Sequence, residues 1–181
     1  ALLVGHVAED SGKIDMPLMR CLMYPPFIRV STNNAQCAIV KSRLRPDEDI
    51  GRKYLEEPKG SITEYKVLSR EELHGLPVTR VELLSLSGRT HQLNVHCAAF
   101  GHPIVGDTTY GIDGEAGPHG GLTVEEAETL MPNPNRASLE LQQQMRDAHG
   151  DGGMYVHAKS IEFDHPIDKR IEISLDCDAP F

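Results

Sequence analysis

The sequence predicts an α+β domain built on a mixed, mainly antiparallel sheet flanked by helices, and three observations carry that expectation. Short apolar runs punctuated by Gly5, Gly12, Pro17, Pro25 and Pro26 fill residues 1–40 and read as strands and turns. Two runs rich in Val, Thr, Ile, Tyr and Leu, 61–68 and 76–86, read as an antiparallel hairpin joined by a polar turn, SREELHG. One helical pattern then follows at 90–101. The chain has 181 residues, of which about 24% are Leu, Ile, Val or Phe, enough for one domain with a buried core.

In the helical stretch Leu93, Cys97 and Phe100 share helical spacing, Thr90 stands where an N-cap is wanted, and Gly101 where a C-cap is wanted. Leu93 rather than Glu or Gln lies three residues after Thr90, so no capping box supports that cap. The charged, poorly periodic stretch at about 41–58 reads as an exposed loop. Residues at about 112–153 read as a surface insertion that carries eight acids against two bases. A T-x-x-E capping box, Thr123 to Glu126, opens one helical piece there, and SLELQQQMRDAHG fits a second. Beyond it, 154–166 alternates Tyr155, His157, Ile161 and Phe163 as a further strand or two.

Net charge is −9, which argues against non-specific nucleic-acid binding by the surface as a whole. The insertion supplies six of those nine charges, so the total says less about the remainder. No apolar run approaches the roughly 20 residues of a membrane helix, and the first residues lack the basic region of a signal peptide. Cys21, Cys37, Cys97 and Cys177 show no C-x-x-C spacing, and reduced thiols in an intracellular compartment, cytoplasmic or organellar, are the expectation.

Nine histidines invite a metal reading, but His91 and His96 lie five apart and no H-E-x-x-H accompanies them. Buried, hydrogen-bonded histidines are the better expectation, with no metal and no cofactor. G-x-S-x-G, G-x-G-x-x-G and P-loop patterns are missing, so hydrolase, dinucleotide and nucleoside-triphosphate chemistry lose support. What remains is Gly88-Arg89 at a strand-to-helix junction. Its guanidinium fork suits a carboxylate or a phosphate, and the residues alone support an Arg-centred anion site and no more.

The same residues resemble the RluA-type RNA pseudouridine synthases. A signature block of that family reads G-R-[TS]-H-Q-[LI]-R-V-H followed by G-H-P-I-x-G-D-x-x-Y-G, and Gly88–His96 and Gly101–Gly111 follow it closely. Three flanking segments also look like the family: G-x-I-D-x-P-L at Gly12–Leu18, T-E-Y-x-V at Thr63–Val67, and H-A-x-x-x-x-F-x-H-P at His157–Pro166. The resemblance implies an isomerase that converts specific uridines of RNA, rRNA or tRNA, to pseudouridine, without metal or organic cofactor. It implies that Arg89 pairs with the catalytic Asp, that Leu93 helps line the uracil pocket, and that Thr90, His91 and Gln92 sit at the RNA. Tyr65 matches a structural position.

Two departures qualify it. Asn94 stands where the family has Arg, which removes one phosphate contact and weakens RNA affinity. The family's nucleophile lies in an H-R-L-D block, and the nearest match here is Arg43-Leu44-Arg45. The expectation is therefore a partial catalytic domain over 1–181, incomplete at the N-terminus and inactive alone. Its uncovered edges would leave it marginally stable. The alternative is a catalytically degenerate RNA-binding or ribonucleoprotein component, with the acidic insertion serving a protein partner.

Overall fold

The computed structural model describes residues 1–36 and 56–181. The charged loop expected at 41–58 therefore lies outside the described residues up to position 55, as does Cys37. The elements run β1 (Leu2–Val4), β2 (Ser11–Asp15), β3 (Leu18–Arg20), β4 (Ile28–Val30), β5 (Ile62–Leu73), β6 (Leu76–Ser85), α1 (Gln92–Phe100), α2 (Pro118–Gly121), α3 (Val124–Leu130), α4 (Leu139–His149), β7 (Ser160–Asp164) and β8 (Glu172–Asp176). One sheet has the order β1-β6-β5-β2, and β3-β4 and β7-β8 form two-stranded sheets. Every pairing between these strands is antiparallel, in keeping with the fold class read from the sequence.

The β5–β6 hairpin is longer than the sequence suggested. SREEL continues β5, and only His74 and Gly75 turn the chain, both with positive φ (55° and 73°), as a tight two-residue hairpin turn requires. The charges that read as a loop are tolerated because they are paired across the strands. Arg80 on β6 grips Glu71 on β5 with two bonds, Nε–Oε1 at 2.7 Å and Nη2–Oε2 at 3.1 Å. That grip, with the Ser69 hydroxyl, holds the Glu71 carboxyl below the usual range.

Helix α1 lies against this sheet, and Val95, Ala98 and Ala99 share one core cluster with Ile14, Tyr65 and Val81. Thr90 is not its N-cap. His91 flanks the helix in the left-handed region (φ 50°) without a side-chain cap, and just ahead of it the Gln92 side chain accepts the Arg89 N–H. At the other end Gly101 takes φ 93° and its N–H returns to Ala98 O, the C-cap read from the sequence.

The acidic segment is not laid on the surface as expected. Its capping box at Thr123 and Glu126 forms, and the Ser138 hydroxyl caps α4. But Ala116, Leu122 and Ala127 enter the main core, and Ala137 and Met145 pack with Leu2, Val4 and Val78 in a second cluster. Arg136 locks it in place: its guanidinium donates to Ala99 O of α1 (2.8 Å) and to Ala127 O and Met131 O at the end of α3 (3.0 and 2.9 Å). It closes two helix C-termini at once, where a cation is electrostatically favoured. A Cβ at Gly101 would meet Arg136 Cγ at 2.5 Å, so glycine is required there for space as well as for conformation.

The alternation at 154–166 becomes a strand only from Ser160, and β7 pairs with β8 rather than with the main sheet. No helix among the described residues is long and apolar enough to cross a membrane.

Gly12 and Tyr65 are register partners on β2 and β5, and a Cβ at Gly12 would sit 2.6 Å from the Tyr65 hydroxyl. Gly12→Ala should therefore lower stability by about 1–3 kcal/mol in urea unfolding, the usual cost of forcing an atom into a filled space. A loss under about 0.5 kcal/mol would show that the ring moves aside freely.

Candidate active site cleft

The turn that carries Arg89 is held by a chain of buried polar groups. Gln92 is 3% exposed, and its Oε1 accepts from Ser87 Oγ (3.0 Å) and from the Arg89 N–H (3.1 Å). Its Nε2 donates to Ile62 O (2.8 Å) and Thr63 Oγ1 (3.1 Å) on β5. Thr63 Oγ1 in turn lies 2.9 Å from His96 Nδ1, and His96 Nε2 lies 3.0 Å from Met16 O. Since a carbonyl only accepts, Nε2 carries the proton, and Thr63 gives its own to Nδ1. His96 is thus neutral, and burial pushes its pKa down. His102 is also fully buried: its Nδ1 donates to Val4 O (2.8 Å), and burial lowers its pKa. The expectation of buried, hydrogen-bonded histidines is met at these two positions.

On the outer side of the turn, His91 Nδ1 meets the Tyr110 hydroxyl at 2.8 Å, and that hydroxyl accepts the Ile28 N–H at 3.2 Å. Asn94 Nδ2 donates to Asp107 Oδ2 at 2.9 Å, while Asp107 Oδ1 accepts the N–H groups of Thr109 and Tyr110. The two sequence blocks, 88–96 and 101–111, are therefore bound to each other at two points. Asn94 is half-buried, and its amide is spent on Asp107 rather than left free for another partner. An arginine reaching Asp107 would make an ion pair, so asparagine keeps the link and gives up the charge.

A cleft of about 180 Å³ opens beside the turn. Its floor is Leu18, Met19 and Ile28, and Gly88, Arg89 and Thr90 form one wall. Arg20 and Lys59 add two cations, and Glu56 and Glu57 two carboxylates, so the lining is positive in a chain of net charge −9. Lys59 pairs with Glu56 at 2.8 Å. The Arg89 side chain is exposed, its Nε donates to Gly60 O at 3.3 Å, and among the described residues it makes no ion pair. Such a guanidinium beside a partly apolar cleft can hold a carboxylate or a phosphate and keep it ionised.

Of the five residues the resemblance placed at the site, Arg89 and Thr90 line this cleft. His91 instead borders a separate hollow with Asn94 and Asp107, Leu93 is half-buried on α1 outside the cleft lining, and Gln92 is spent on protein groups. Gln92 and His91 shape the turn rather than present themselves in the cleft. Sequence reading missed Arg20 and Lys59. The available signal was positional: Arg20 stands two residues past the G-x-I-D-x-P-L segment, and Lys59 four residues before T-E-Y. Among the described residues no group of three or more His, Cys, Asp or Glu is gathered as a metal would need.

Two outcomes follow from this network. Tyr110→Phe strips the Ile28 N–H of its acceptor and His91 of its partner, and should cost about 1–3 kcal/mol in urea unfolding. A variant as stable as the parent would mean that water replaces the hydroxyl without loss. His96 and His102 have pKa values below the ordinary 6.5, so below pH 6.5 the unfolded chain binds protons that the folded chain does not. Stability should therefore fall by about 1 kcal/mol or more between pH 7.5 and 5.5. The lowered carboxyl of Glu71 contributes stability that is lost only below its ordinary 4.5, outside that window. A urea midpoint unchanged between pH 7.5 and 5.5 would contradict the assignment of neutral histidines.

No protein-family model matches the sequence. The RNA pseudouridylate synthase domain-containing protein 1 of Bos taurus is 57% identical over 61 residues, 34% of this chain and 20% of that protein. The dual-specificity RNA pseudouridine synthase RluA of Yersinia pestis is 37% identical over 106 residues, 59% of this chain and 39% of that protein. The solved structure of human RNA pseudouridylate synthase domain containing 1 shares the fold over the whole chain, with a TM-score of 0.61 at 23% identity, and the chain covers 53% of it. The chain thus spans about half of that structure, and its matches cover less than half of the curated relatives. The chain is similar in sequence, over up to about 59% of its length in these two matches, to RNA pseudouridine synthases, and it shares the fold of a solved structure that bears the same kind of name.

Proposed function

We propose that the chain supplies the arginine side of an RNA pseudouridine synthase site, and that the parent protein isomerises specific uridines in rRNA or tRNA. The observation that carries this reading is Arg89: an exposed guanidinium, on a turn pinned from beneath, at the rim of a cleft with an apolar floor. The apolar floor suits a uracil ring drawn out of the RNA stack. In the family mechanism an Asp carboxylate acts on the ribosyl–uracil unit, the N-glycosidic bond breaks, and uracil turns and rejoins through C5. Arg89 would hold that carboxylate ionised by its charge and keep it aimed by a two-point hydrogen bond. The carboxylate itself would come from polypeptide other than this sequence, which leaves the chain inactive alone.

The test is mass-spectrometric mapping of pseudouridine in RNA from cells lacking the gene, complemented with the full-length wild type or with Arg89→Gln. Loss of one or a few sites on deletion, restored by wild type and not by the variant, is the expected result. An unchanged map on deletion would favour a catalytically degenerate RNA-binding component instead.

A further inference from the structure

We propose that Arg20 is a phosphate-binding residue that positions single-stranded RNA in the Arg89 cleft. This rests on the reading of the cleft given above. Arg20 ends β3, directly after the buried Leu18 and Met19 that form the cleft floor, and it comes to the cleft from an element separate from the Arg89 turn. Its Nη1 donates to Pro26 O at 3.4 Å, which steadies the side chain and leaves most of the guanidinium fork for another partner. Among the described residues Arg20 makes no ion pair, nor does Arg89, whereas Lys59 is already paired with Glu56. Arg20, Lys59 and Arg89 face two carboxylates, Glu56 and Glu57, on the cleft lining, so the cleft keeps one cation in excess for an incoming anion.

A single carboxylate does not suit both. Clamped by two guanidiniums, it would be held so strongly in its ionised, hydrogen-bonded form that its reactivity as a nucleophile would fall. The division of labour that avoids this gives Arg89 the carboxylate and Arg20 the other anion that arrives with the substrate. A nucleotide entering the cleft brings its backbone phosphate, and in a chain of net charge −9 that phosphate needs a local cation. Phosphate contacts of this kind fix register without reading sequence, so Arg20 belongs to positioning rather than to the choice of base. The planar fork of arginine also matches two phosphate oxygens at once.

The experiment measures binding of fluorescein-labelled octauridylate by fluorescence anisotropy, from about 50 to 300 mM KCl, with the full-length protein that contains this chain. Arg20→Gln should weaken binding about tenfold at 100 mM KCl and make the slope of log affinity against log salt shallower by about 0.7, the loss of one phosphate contact on a single strand. Arg20→Lys, which keeps the charge and most of the stem, should preserve the slope and so separate charge from folding. Lys66→Gln, an exposed lysine on the outer face of β5, should change nothing. In pseudouridine-forming turnover, Arg20→Gln should raise KM about tenfold and leave kcat within twofold.

An unchanged slope in Arg20→Gln, or a loss confined to kcat, overturns the role of Arg20 while an active wild type keeps the synthase reading. A shallower slope with a wild type that forms no pseudouridine keeps the phosphate contact and overturns that reading. A wild type that binds no octauridylate overturns the role of Arg20, and one that also forms no pseudouridine overturns both.

Discussion

The side chain of Gln92 reconciles two demands that conflict in an antiparallel fold. A strand must end and a helix must begin within a few residues, and the backbone groups in between have no ladder to satisfy them. One amide answers for four groups: it takes protons from Ser87 and Arg89 and gives protons to Ile62 and Thr63. Because it is almost completely buried, any group left unpaired there costs the full desolvation of a polar atom. The network runs on through Thr63 and His96 to Met16, so the position of Arg89 is tied to β5, to α1 and to the segment that leads into β3.

The rest of the molecule is arranged around that knot. Tyr110 and Asp107 hold the outer side of the turn, which explains physically why the two blocks 88–96 and 101–111 belong together in one sequence. Arg136 then fastens the acidic segment to the far end of the same helix, so α1 is restrained at its start by Tyr110 and Gln92 and at its end by Arg136 and Gly101. The sequence glycines have separate reasons. Gly101 needs a positive φ and room for a guanidinium, whereas Gly12 needs only the space its cross-strand tyrosine fills.

Most of the fold was legible because its signals are local. β-branched runs marked β5 and β6, a glycine marked the end of α1, and Thr123 with Glu126 announced α3. The misreadings share one cause, partners distant in sequence. SREEL looked like a turn because the charge of Glu71 is neutralised by Arg80 on the next strand. Thr90 looked like a cap from its residue type and place, but the residue that flanks the helix is His91, which gives it no side-chain cap. The acidic segment looked peripheral because its few apolar residues, Leu122 and Met145 among them, are spaced among charges. Arg89 was legible from its place at a strand-to-helix junction and from its motif, whereas Arg20, at the end of a short strand, was marked only by its distance from a neighbouring segment.

The turn at His74 and Gly75 bears on how the chain assembles. β5 and β6 meet across two residues, so their closure is nearly local, whereas β1 pairs with β6 only by bringing Leu2 opposite Arg80 around a loop of more than seventy residues. Loop closure costs about 0.6 kcal/mol for each doubling of length, so the longer loop carries roughly 2 kcal/mol more than a closure of ten residues. β2 bears a comparable burden in pairing Ile14 with Thr63. The hairpin is therefore the natural template, and the N-terminal strands add to its two opposite edges as late arrivals. The floor of the Arg89 cleft is made by the segment that follows β2, so it takes shape after the turn that carries the arginine.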